Sequence, residues 1–351
     1  MYYIEELLQK RPYSLNKQEK KKVFDDYISK LSKFHYEHSE YYRRICDLLR
    51  QETPLLPVRL FKEYDLLSVP KEEIVKTLTS SGTTGQAVSK IFLDKRTSAV
   101  QTKVLTKITS DFLGNKRLPM IILDTNAVIK NRQLFSARGA GILGFSMLGY
   151  DIIYAFDENM KLDIDKIEKY LEKHHDEEIL LFGFTFMIWQ HFYHELLKNK
   201  KRLNLEKGIM LHGGGWKKLI DQSVDNIMFK KCLQDVCGIK QIYNYYGMVE
   251  QTGSIYMECE HGRLHTSIFS DINILNHKDF SLCKQHQKGI IQLISLLPMS
   301  YPGHNILTED IGEITGEDDC PCGRLGKTFM IHGRIKSAEV RGCSDTYDIK
   351  N

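Results

Sequence analysis

A loop rich in hydroxyl groups and glycine is the segment best suited to chemistry in this sequence. It follows a predicted strand at 74–78, and it reads Ser80-Ser81-Gly82-Thr83-Thr84-Gly85. Glycine lets backbone N–H groups approach an anion without a Cβ in the way, and hydroxyl groups donate to phosphate oxygens. The loop therefore predicts a phosphate site. It is not a Walker loop, because no Lys-Ser or Lys-Thr pair follows the second glycine, so a kinase or ordinary ATPase is disfavoured.

Two short clusters of cysteine and histidine have the residue types of a metal site. The first holds Cys259, His261 and His265, and the second, about sixty residues later, holds Cys320 and Cys322. Four such side chains can enclose Zn²⁺ as a tetrahedron, and a site with no open position is structural. The Cys-x-Cys spacing is narrower than the usual zinc pattern. Buried cysteines and a loop histidine without metal are the alternative.

The elements that must position these groups follow from hydrophobic periodicity. Helical spacing predicts that the chain opens with amphipathic helices; the spaced residues are Val23, Phe24, Tyr27, Ile28, Leu31 and Phe34. Apolar runs separated by helix-length segments predict buried strands at 74–78, 120–123, 152–156, 179–182 and 209–211. Shorter β-like runs follow at 254–257, 268–275, 290–297 and 306–307. Alternating strands and helices are typical of a largely parallel sheet.

We therefore expect an α/β fold with a largely parallel sheet flanked by helices, plus a β-rich subdomain. The expected divisions are an N-terminal helical segment (1–56), an α/β core (57–252), a β-rich subdomain of the same body (253–334) and a C-terminal tail (335–351).

The overall composition is that of a soluble globular protein of 351 residues. Its 49 basic and 45 acidic residues give a net charge of +4, and the scattered lysines argue against a nucleic-acid partner. No stretch predicts a signal peptide or a membrane span, so a cytoplasmic location is expected. Eight cysteines in such a chain indicate buried, metal-bound or reactive thiols rather than a disulfide framework.

Four segments in the same order resemble the adenylate-forming superfamily, which contains acyl-CoA synthetases, nonribosomal peptide synthetase adenylation domains and luciferases. The loop that begins at Ser80 matches the phosphate-loop signature of that superfamily, and residues 246–250 fit its Tyr-Gly-x-x-Glu element. Val249 departs from the threonine that many members carry. The glycine run after His212 lies where the superfamily has its adenine- and acyl-binding loop, and Asp310 and Arg334 resemble its ribose-binding aspartate and its hinge arginine.

The resemblance implies an ATP- and Mg²⁺-dependent enzyme in which Glu250 lies near the metal. The implied nucleotide-binding residues are Ser80, Ser81, Gly82, Thr83, Thr84, Gly85, Gly213, Gly214, Gly215, Tyr245, Tyr246, Gly247, Met248, Glu250 and Asp310. Phenylacetate-CoA ligases, which belong to the same superfamily, carry a similar cysteine and histidine pairing. That likeness favours Cys259, His265, Cys320 and Cys322 as ligands of a structural Zn²⁺, with His261 in reserve.

Within the superfamily the chain is most similar to the LuxE-type acyl-protein synthetases. The segments 57–62, 181–186 and 341–343 carry this resemblance. Such proteins form a fatty acyl-adenylate and move the acyl group to a cysteine near their own C-terminus, from which a reductase partner accepts it. By this resemblance Cys343, eight residues before the last residue, is the expected acceptor nucleophile. The chain ends about seventeen residues after Arg334, so we expect the mobile C-terminal domain of typical synthetases to be missing.

An aromatic run at a strand-to-helix junction is a candidate acyl pocket. Its members are Phe182, Gly183, Phe184 and Phe186, although the same side chains could equally fill the core between sheet and helix. His212 is a candidate polar group on the substrate side, and with Cys343, Glu250 and Arg334 it completes the expected catalytic set.

The function expected from these observations is ATP-dependent activation of a carboxylic acid, expected to be a fatty acid, to acyl-AMP, with release of pyrophosphate, followed by transfer to a protein thiol. One alternative is an acyl- or aryl-CoA or carrier-protein ligase with an external thiol acceptor. Another is a non-catalytic nucleotide- or acyl-binding subunit of a biosynthetic complex. The expected partners are the acid and an acyl-accepting reductase, acyltransferase or carrier protein.

Overall fold

The computed structural model describes residues 3–80, 88–130, 137–216 and 223–335. These residues form two compact units. The first unit contains 3–80, 88–112 and 247–335, and the second contains 113–130, 137–216 and 223–246. Within the described ranges, no helix is long and apolar enough to cross a membrane.

A parallel sheet forms the centre of the second unit. Its strands are β4 (Leu118–Thr125), β5 (Gly149–Phe156), β6 (Ile179–Phe184), β7 (Gly208–Gly213) and β8 (Gln241–Tyr246). They pair side by side in the order β5-β4-β6-β7-β8. The middle strands β6 and β7 are buried along their whole length, as expected for a sheet covered on both faces.

The helices of the second unit lie between these strands in the chain. They are α6 (Ala127–Lys130), α7 (Ala137–Ser146), α8 (Ile164–Lys173), α9 (Thr185–Met187), a π-helical turn (Ile188–Tyr193), α10 (His194–Lys198) and α11 (Asn226–Cys237). Helix α11 begins at a capping residue, because the Asp225 side chain accepts a hydrogen bond from the backbone N–H of Met228. It ends at Gly238, whose φ of 72° is the left-handed conformation that glycine adopts at low cost.

A mostly antiparallel sheet dominates the first unit. Its strands are β10 (Leu264–His265), β11 (Ser270–Leu275), β12 (Gly289–Ser295), β13 (Asn305–Glu317) and β14 (Lys327–Arg334), in the order β10-β14-β13-β12-β11. The short strand β1 (Leu56–Pro57) pairs with β13 in parallel. This sheet is the β-rich region expected from the sequence.

A separate hairpin in the first unit carries the hydroxyl loop. Strands β2 (Ile74–Thr79) and β3 (Lys90–Asp94) pair antiparallel as a two-stranded sheet. The strand predicted at 74–78 therefore exists, but the prediction that it is buried in the parallel sheet is wrong, because β2 pairs with β3 in this hairpin and its middle residues are exposed. The short strand β9 (Tyr256–Met257) and the 3₁₀ turns Lys71–Glu73 and Val249–Gln251 complete the minor elements.

The N-terminal helices also belong to the first unit. They are α1 (Tyr3–Leu7), α2 (Lys17–His38), α3 (Glu40–Leu49), α4 (Leu60–Glu63) and, later in the chain, α5 (Lys95–Leu113). Helix α2 begins with a capping box, in which Asn16 and Glu19 each bond the other's backbone N–H. It buries Phe24, Tyr27 and Leu31, which confirms the amphipathic helix predicted there.

The two units divide the chain differently from the boundaries expected after residues 56, 252 and 334. The first unit contains the N-terminal helices together with the β-rich sheet because α2 packs on that sheet's loops. His35 of α2, for example, bonds the carbonyl of Pro298 at 3.2 Å.

Candidate functional site

The base of the hydroxyl loop is closed by two hydrogen bonds between its ends. The backbone N–H of Ser80 donates to the carbonyl of Ser89 at 3.0 Å, and the N–H of Ser89 donates to the Ser80 hydroxyl at 2.9 Å. The Ser89 hydroxyl is buried and has no hydrogen-bond partner of normal geometry among the described residues. The hydroxyl lies close to the Glu250 carboxyl group, so the foot of the loop and that carboxyl are neighbours in the first unit. Ser81, Gly82, Thr83, Thr84 and Gly85 lie outside the described residues.

Glu250 lies in the 3₁₀ turn Val249–Gln251 and is 4% exposed. Burial raises the pKa of its carboxyl group, while the nearby Ser89 hydroxyl and the positive charges of Lys62 and Arg334 oppose the shift. The turn is held from behind, because the Tyr301 hydroxyl donates to the Glu250 carbonyl at 3.0 Å. The side chain of Gln251 adds bonds to the carbonyls of Leu293 and Gly303. The carboxyl is thus a rigidly placed, partly desolvated group that fits a divalent cation.

Asp310 and Arg334 face each other across two neighbouring strands. They are register partners of β13 and β14, and the Arg334 guanidinium donates to the Asp310 carboxylate at 3.2 Å. Asp310 is buried and Arg334 is partly exposed. Ser80, Glu250, Asp310 and Arg334 all belong to the first unit, with Gly247 and Met248 preceding the turn that carries Glu250.

The glycine run begins where β7 ends in the second unit. A Cβ at Gly213 would lie 2.5 Å from Cε1 of Tyr245, so only glycine fits beside that ring. Gly214 has a φ of 79° and turns the chain out of the strand, and Gly215 has open space around it. Tyr245 and Tyr246 end the adjacent strand β8. The carboxyl edge of a parallel sheet is the usual ligand side, which suits the adenine role expected for this run.

The predicted acyl pocket is an aromatic cluster on one face of the parallel sheet. The rings of Phe182 and Phe184 are 5.8 Å apart, and Phe182 stacks on Phe145 of α7 at 4.6 Å. Phe145 also lies 4.9 Å from the ring of Tyr245. Sequence reasoning missed Phe145, because one aromatic residue on a helix carries no signal beyond core packing. Phe186 is half-buried in α9.

His212 points to the other face of that sheet. It is paired in register with Gly183, and a Cβ added at Gly183 would contact Ile188 and Leu123. The His212 ring packs 4.8 Å from the Phe229 ring of α11. Burial lowers the pKa of His212 to about 3, with a smaller contribution from Lys230. The imidazole is therefore neutral in ordinary buffers. Its placement does not join it to the aromatic cluster of Phe182 and Phe184.

The four predicted metal ligands come together in the first unit. The ligand atoms of Cys259, His265, Cys320 and Cys322 all lie within 4.8 Å of one another. The sulfurs of Cys259 and Cys320 are 3.7 Å apart, and Cys322 Sγ is 3.4 Å from His265 Nε2. Burial raises the pKa of Cys320 to about 12 and lowers that of His265 to about 4. Such thiols ionise when a cation binds, and a neutral histidine keeps its lone pair, so this donor set fits Zn²⁺.

An N-terminal arm, residues 11–20, crosses the loops that carry this cluster. The Tyr13 ring packs edge-on against His265 at 5.9 Å. The carbonyls of Pro12 and Tyr13 accept hydrogen bonds from the N–H groups of Ile268 and Leu325 at 2.7 and 3.1 Å. The arm is thereby attached on both sides of the cluster.

Comparison with solved structures identifies the fold. The fold matches 2-hydroxyisobutyryl-CoA ligase in complex with 2-HIB-AMP and CoA, with a TM-score of 0.69 and 15% identity over 93% of this chain and 70% of that one. An open conformation of the same ligase matches with a TM-score of 0.69 over 93% of this chain and 77% of the ligase. The fold is therefore that of the adenylate-forming enzymes, as the sequence predicted.

Comparison with sequence families narrows the class. The model of the family "Acyl-protein synthetase, LuxE" matches residues 3–350, and this chain belongs to that family. Its relatives include long-chain-fatty-acid–luciferin-component ligases of Aliivibrio fischeri, 26% identical over 95% of this chain and 90% of the relative, and of Vibrio harveyi, 22% identical over 95% and 89%. The chain is thus a ligase, and neither the CoA-ligase nor the non-catalytic alternative is favoured. Cys343 lies outside the described residues.

Proposed function

We propose that this enzyme activates a long-chain fatty acid with ATP and transfers the acyl group to a protein cysteine, Cys343 of its own tail. The observation that carries the proposal is the buried carboxyl of Glu250, which lies in the first unit with the base of the hydroxyl loop and within the field of Lys62 and Arg334. Family membership and the named relatives support the substrate class.

The proposed reaction has two half-reactions. A carboxylate oxygen of the acid attacks the α-phosphorus of ATP, the bond to pyrophosphate breaks, and acyl-AMP forms. The thiolate of Cys343 then attacks the acyl carbonyl, AMP leaves, and a thioester remains. Mg²⁺, when bound, neutralises charge that develops on the phosphate oxygens.

The residues of this chain supply binding and electrostatics for those steps. Ser80 and the loop that follows it hold phosphate oxygens, with Ser89 closing the base of the loop. Glu250 holds the cation, and Asp310, kept in place by Arg334, receives the ribose. Gly213 and Tyr245 bound the adenine side. The cluster of Phe182, Phe184 and Phe145 forms the wall of the acyl pocket.

A structural Zn²⁺ is the second part of the proposal. Cys259, His265, Cys320 and Cys322 supply four ligand atoms of the chemistry that zinc prefers, and their mutual closeness supports a closed tetrahedral site. The acyl group then passes to an acceptor protein, for which a reductase, an acyltransferase or a carrier protein has the right chemistry. A cytoplasmic location accords with the use of ATP.

The experiment is incubation with ATP, Mg²⁺ and fatty acids of graded chain length, scoring pyrophosphate release and intact protein mass. Wild-type protein is expected to release pyrophosphate and gain one acyl mass. Cys343→Ser should keep adenylate formation and lose the stable adduct, because a serine hydroxyl is a poor nucleophile at neutral pH. Cys283→Ser is the matched control, since Cys283 is a free cysteine in the loop between β11 and β12 and is not one of the predicted site residues. An adduct that survives in the Cys343 variant would exclude the tail mechanism, and no release with any acid would exclude the activity.

A further inference from the structure

Thr185 bridges the ends of two strands in the second unit. It is the first residue of α9, directly after β6, and is 6% exposed. The strand register pairs Gly183 with His212 and Phe184 with Gly213, which brings Thr185 to the carboxyl end of β7. Its hydroxyl oxygen is 3.0 Å from Nδ1 of His212 and 3.2 Å from the carbonyl oxygen of Gly213.

The hydroxyl has one proton, and this decides the direction of both hydrogen bonds. A carbonyl oxygen can only accept, so the Thr185 hydroxyl donates to Gly213. The same hydroxyl can then only accept at its second contact, so Nδ1 of His212 carries the ring proton. The other nitrogen, Nε2, is bare, and it is buried without a hydrogen-bond partner among the described residues. One tautomer of neutral His212 therefore satisfies both contacts.

The hydrogen bonds converge on the first glycine of the run. Gly213 is enclosed on its other side by the Tyr245 ring, which leaves no room for a Cβ. The chain then leaves the strand through Gly214 in the left-handed conformation. The Thr185 hydroxyl and the Tyr245 ring thus hold the point at which the glycine run leaves the sheet.

We infer that Thr185 is a positioning residue, which acts through His212 and the carbonyl of Gly213 to fix the glycine run in the conformation that binds the adenine nucleotide. The inference rests on the proposed function for the role of that run. It gives His212 an orienting role in place of direct contact with the acid.

The experiment compares Thr185→Val, which has the same shape without the hydroxyl, with Thr185→Ser, which restores it. Titration calorimetry with ATP and Mg²⁺ in the absence of acid measures nucleotide affinity directly. Thr185→Val is expected to weaken ATP binding about tenfold, the upper range for one buried hydrogen bond, and Thr185→Ser to return it to within about threefold of wild type. The KM for the fatty acid in pyrophosphate exchange should change less than twofold. Thr109→Val is the matched control, since it removes a buried hydroxyl bonded to carbonyls inside α5.

Nitrogen-15 NMR of the imidazole rings provides a second readout, with the His212 signals assigned by their loss in His212→Phe. The wild-type protein should show the Nδ1–H tautomer, and Thr185→Val a shift towards Nε2–H. Unchanged ATP affinity in Thr185→Val, or an Nε2–H tautomer in the wild type, would overturn the inference. Wild-type protein that binds ATP but exchanges no pyrophosphate would instead refute the proposed function and leave the affinity test of Thr185 intact.

Discussion

At the scale of one residue, the carboxyl group of Glu250 is suited to binding a cation but lowers the stability of the folded state when it is charged. Glu250 is buried, and burial raises its pKa because a charge is poorly solvated in the interior. A raised pKa means that the folded state prefers the neutral form. The charged carboxylate therefore lowers the stability of the folded state once the pH rises above the ordinary pKa of a glutamate. A bound cation would offset that cost.

The first prediction separates these two effects with Glu250→Gln. The amide keeps the shape of the side chain and has no charge to bury, so the free energy of unfolding at pH 8 without nucleotide should be equal to or above that of wild type. Pyrophosphate exchange should fall about 100-fold, the usual effect of removing one electrostatic group from an active site. Urea unfolding and exchange rates check the two parts. An unchanged rate of pyrophosphate exchange in Glu250→Gln would show that Glu250 does not bind the cation.

The sequence revealed site residues whose role depends on residue type and local spacing. The four candidate metal ligands could be chosen because cysteine and histidine clusters are recognisable along the chain, and their ligand atoms lie within 4.8 Å of one another. Ser89, Phe145 and Thr185 could not be chosen in this way. Each owes its role to a neighbour distant in the chain or across a strand, and an isolated serine, phenylalanine or threonine has no pattern of its own.

At the scale of elements, the N-terminal arm and the cysteine cluster form one assembly. The carbonyls of Pro12 and Tyr13 bond the loops on both sides of the cluster. The N–H of Lys17 bonds the Asp318 carboxylate at 2.7 Å, and the Lys20 ammonium bonds the Thr266 hydroxyl at 2.7 Å. Every one of these partners lies in or next to a segment that carries a candidate metal ligand. The arm is therefore expected to be ordered only while those loops are held together.

Removal of the metal should consequently release the arm. Treatment with a strong chelator is expected to increase trypsin cleavage after Lys17 at least tenfold, because the Lys17 side chain is already exposed and backbone order limits cleavage. Cys322→Ser should show fast cleavage without chelator, and Cys283→Ser should behave as wild type. Atomic absorption should find about one zinc per untreated chain. Metal-free protein with a resistant arm would contradict the zinc site.

Predicted elements were correct where burial alone decides the pattern. The strands at 120–123, 152–156, 179–182 and 209–211 all lie in the parallel sheet. The sequence also predicts that the strand at 74–78 is buried, yet the middle of β2 is exposed and the strand pairs antiparallel with β3. Strand β2 pairs with β3 because β3 follows it after only about ten residues of chain. Periodicity reports burial and cannot report the partner strand.

At the scale of the whole molecule, histidines are buried where secondary-structure elements pack together. His35 of α2 and His304 before β13 stack at 4.9 Å and are fully buried in the first unit. The hydroxyls of Ser32 and Tyr42 contact Nε2 of His304, and Ser68 contacts Nδ1 of His35. Burial lowers the pKa of both rings, for His304 to about 3.

These rings should make the protein sensitive to acid. In the unfolded chain these two histidines bind protons near pH 6.5, whereas in the folded chain they stay neutral. The free energy of unfolding is therefore unaffected by them above pH 6.5 and declines as the pH falls towards 3. Each such histidine contributes up to about 1.4 kcal/mol per pH unit within that range. Urea midpoints from pH 7.5 to pH 5 should fall for wild type and fall less steeply for His35→Asn. His175→Asn, an exposed position after α8, should retain the wild-type slope, and equal slopes in all three proteins would contradict the assignment.

The first unit is built from three separated stretches of chain, whereas the described part of the second lies between residues 113 and 246. Strand β1 near residue 56 reaches its partner in β13 only after about 250 further residues have been made. Closing so long a loop is slow, while the parallel sheet needs only neighbouring segments. On the ribosome the second unit can therefore fold first, and the N-terminal helices must wait, with their apolar faces exposed, until the last strands emerge. The emerging chain is thus most open to chaperone capture and aggregation during that interval.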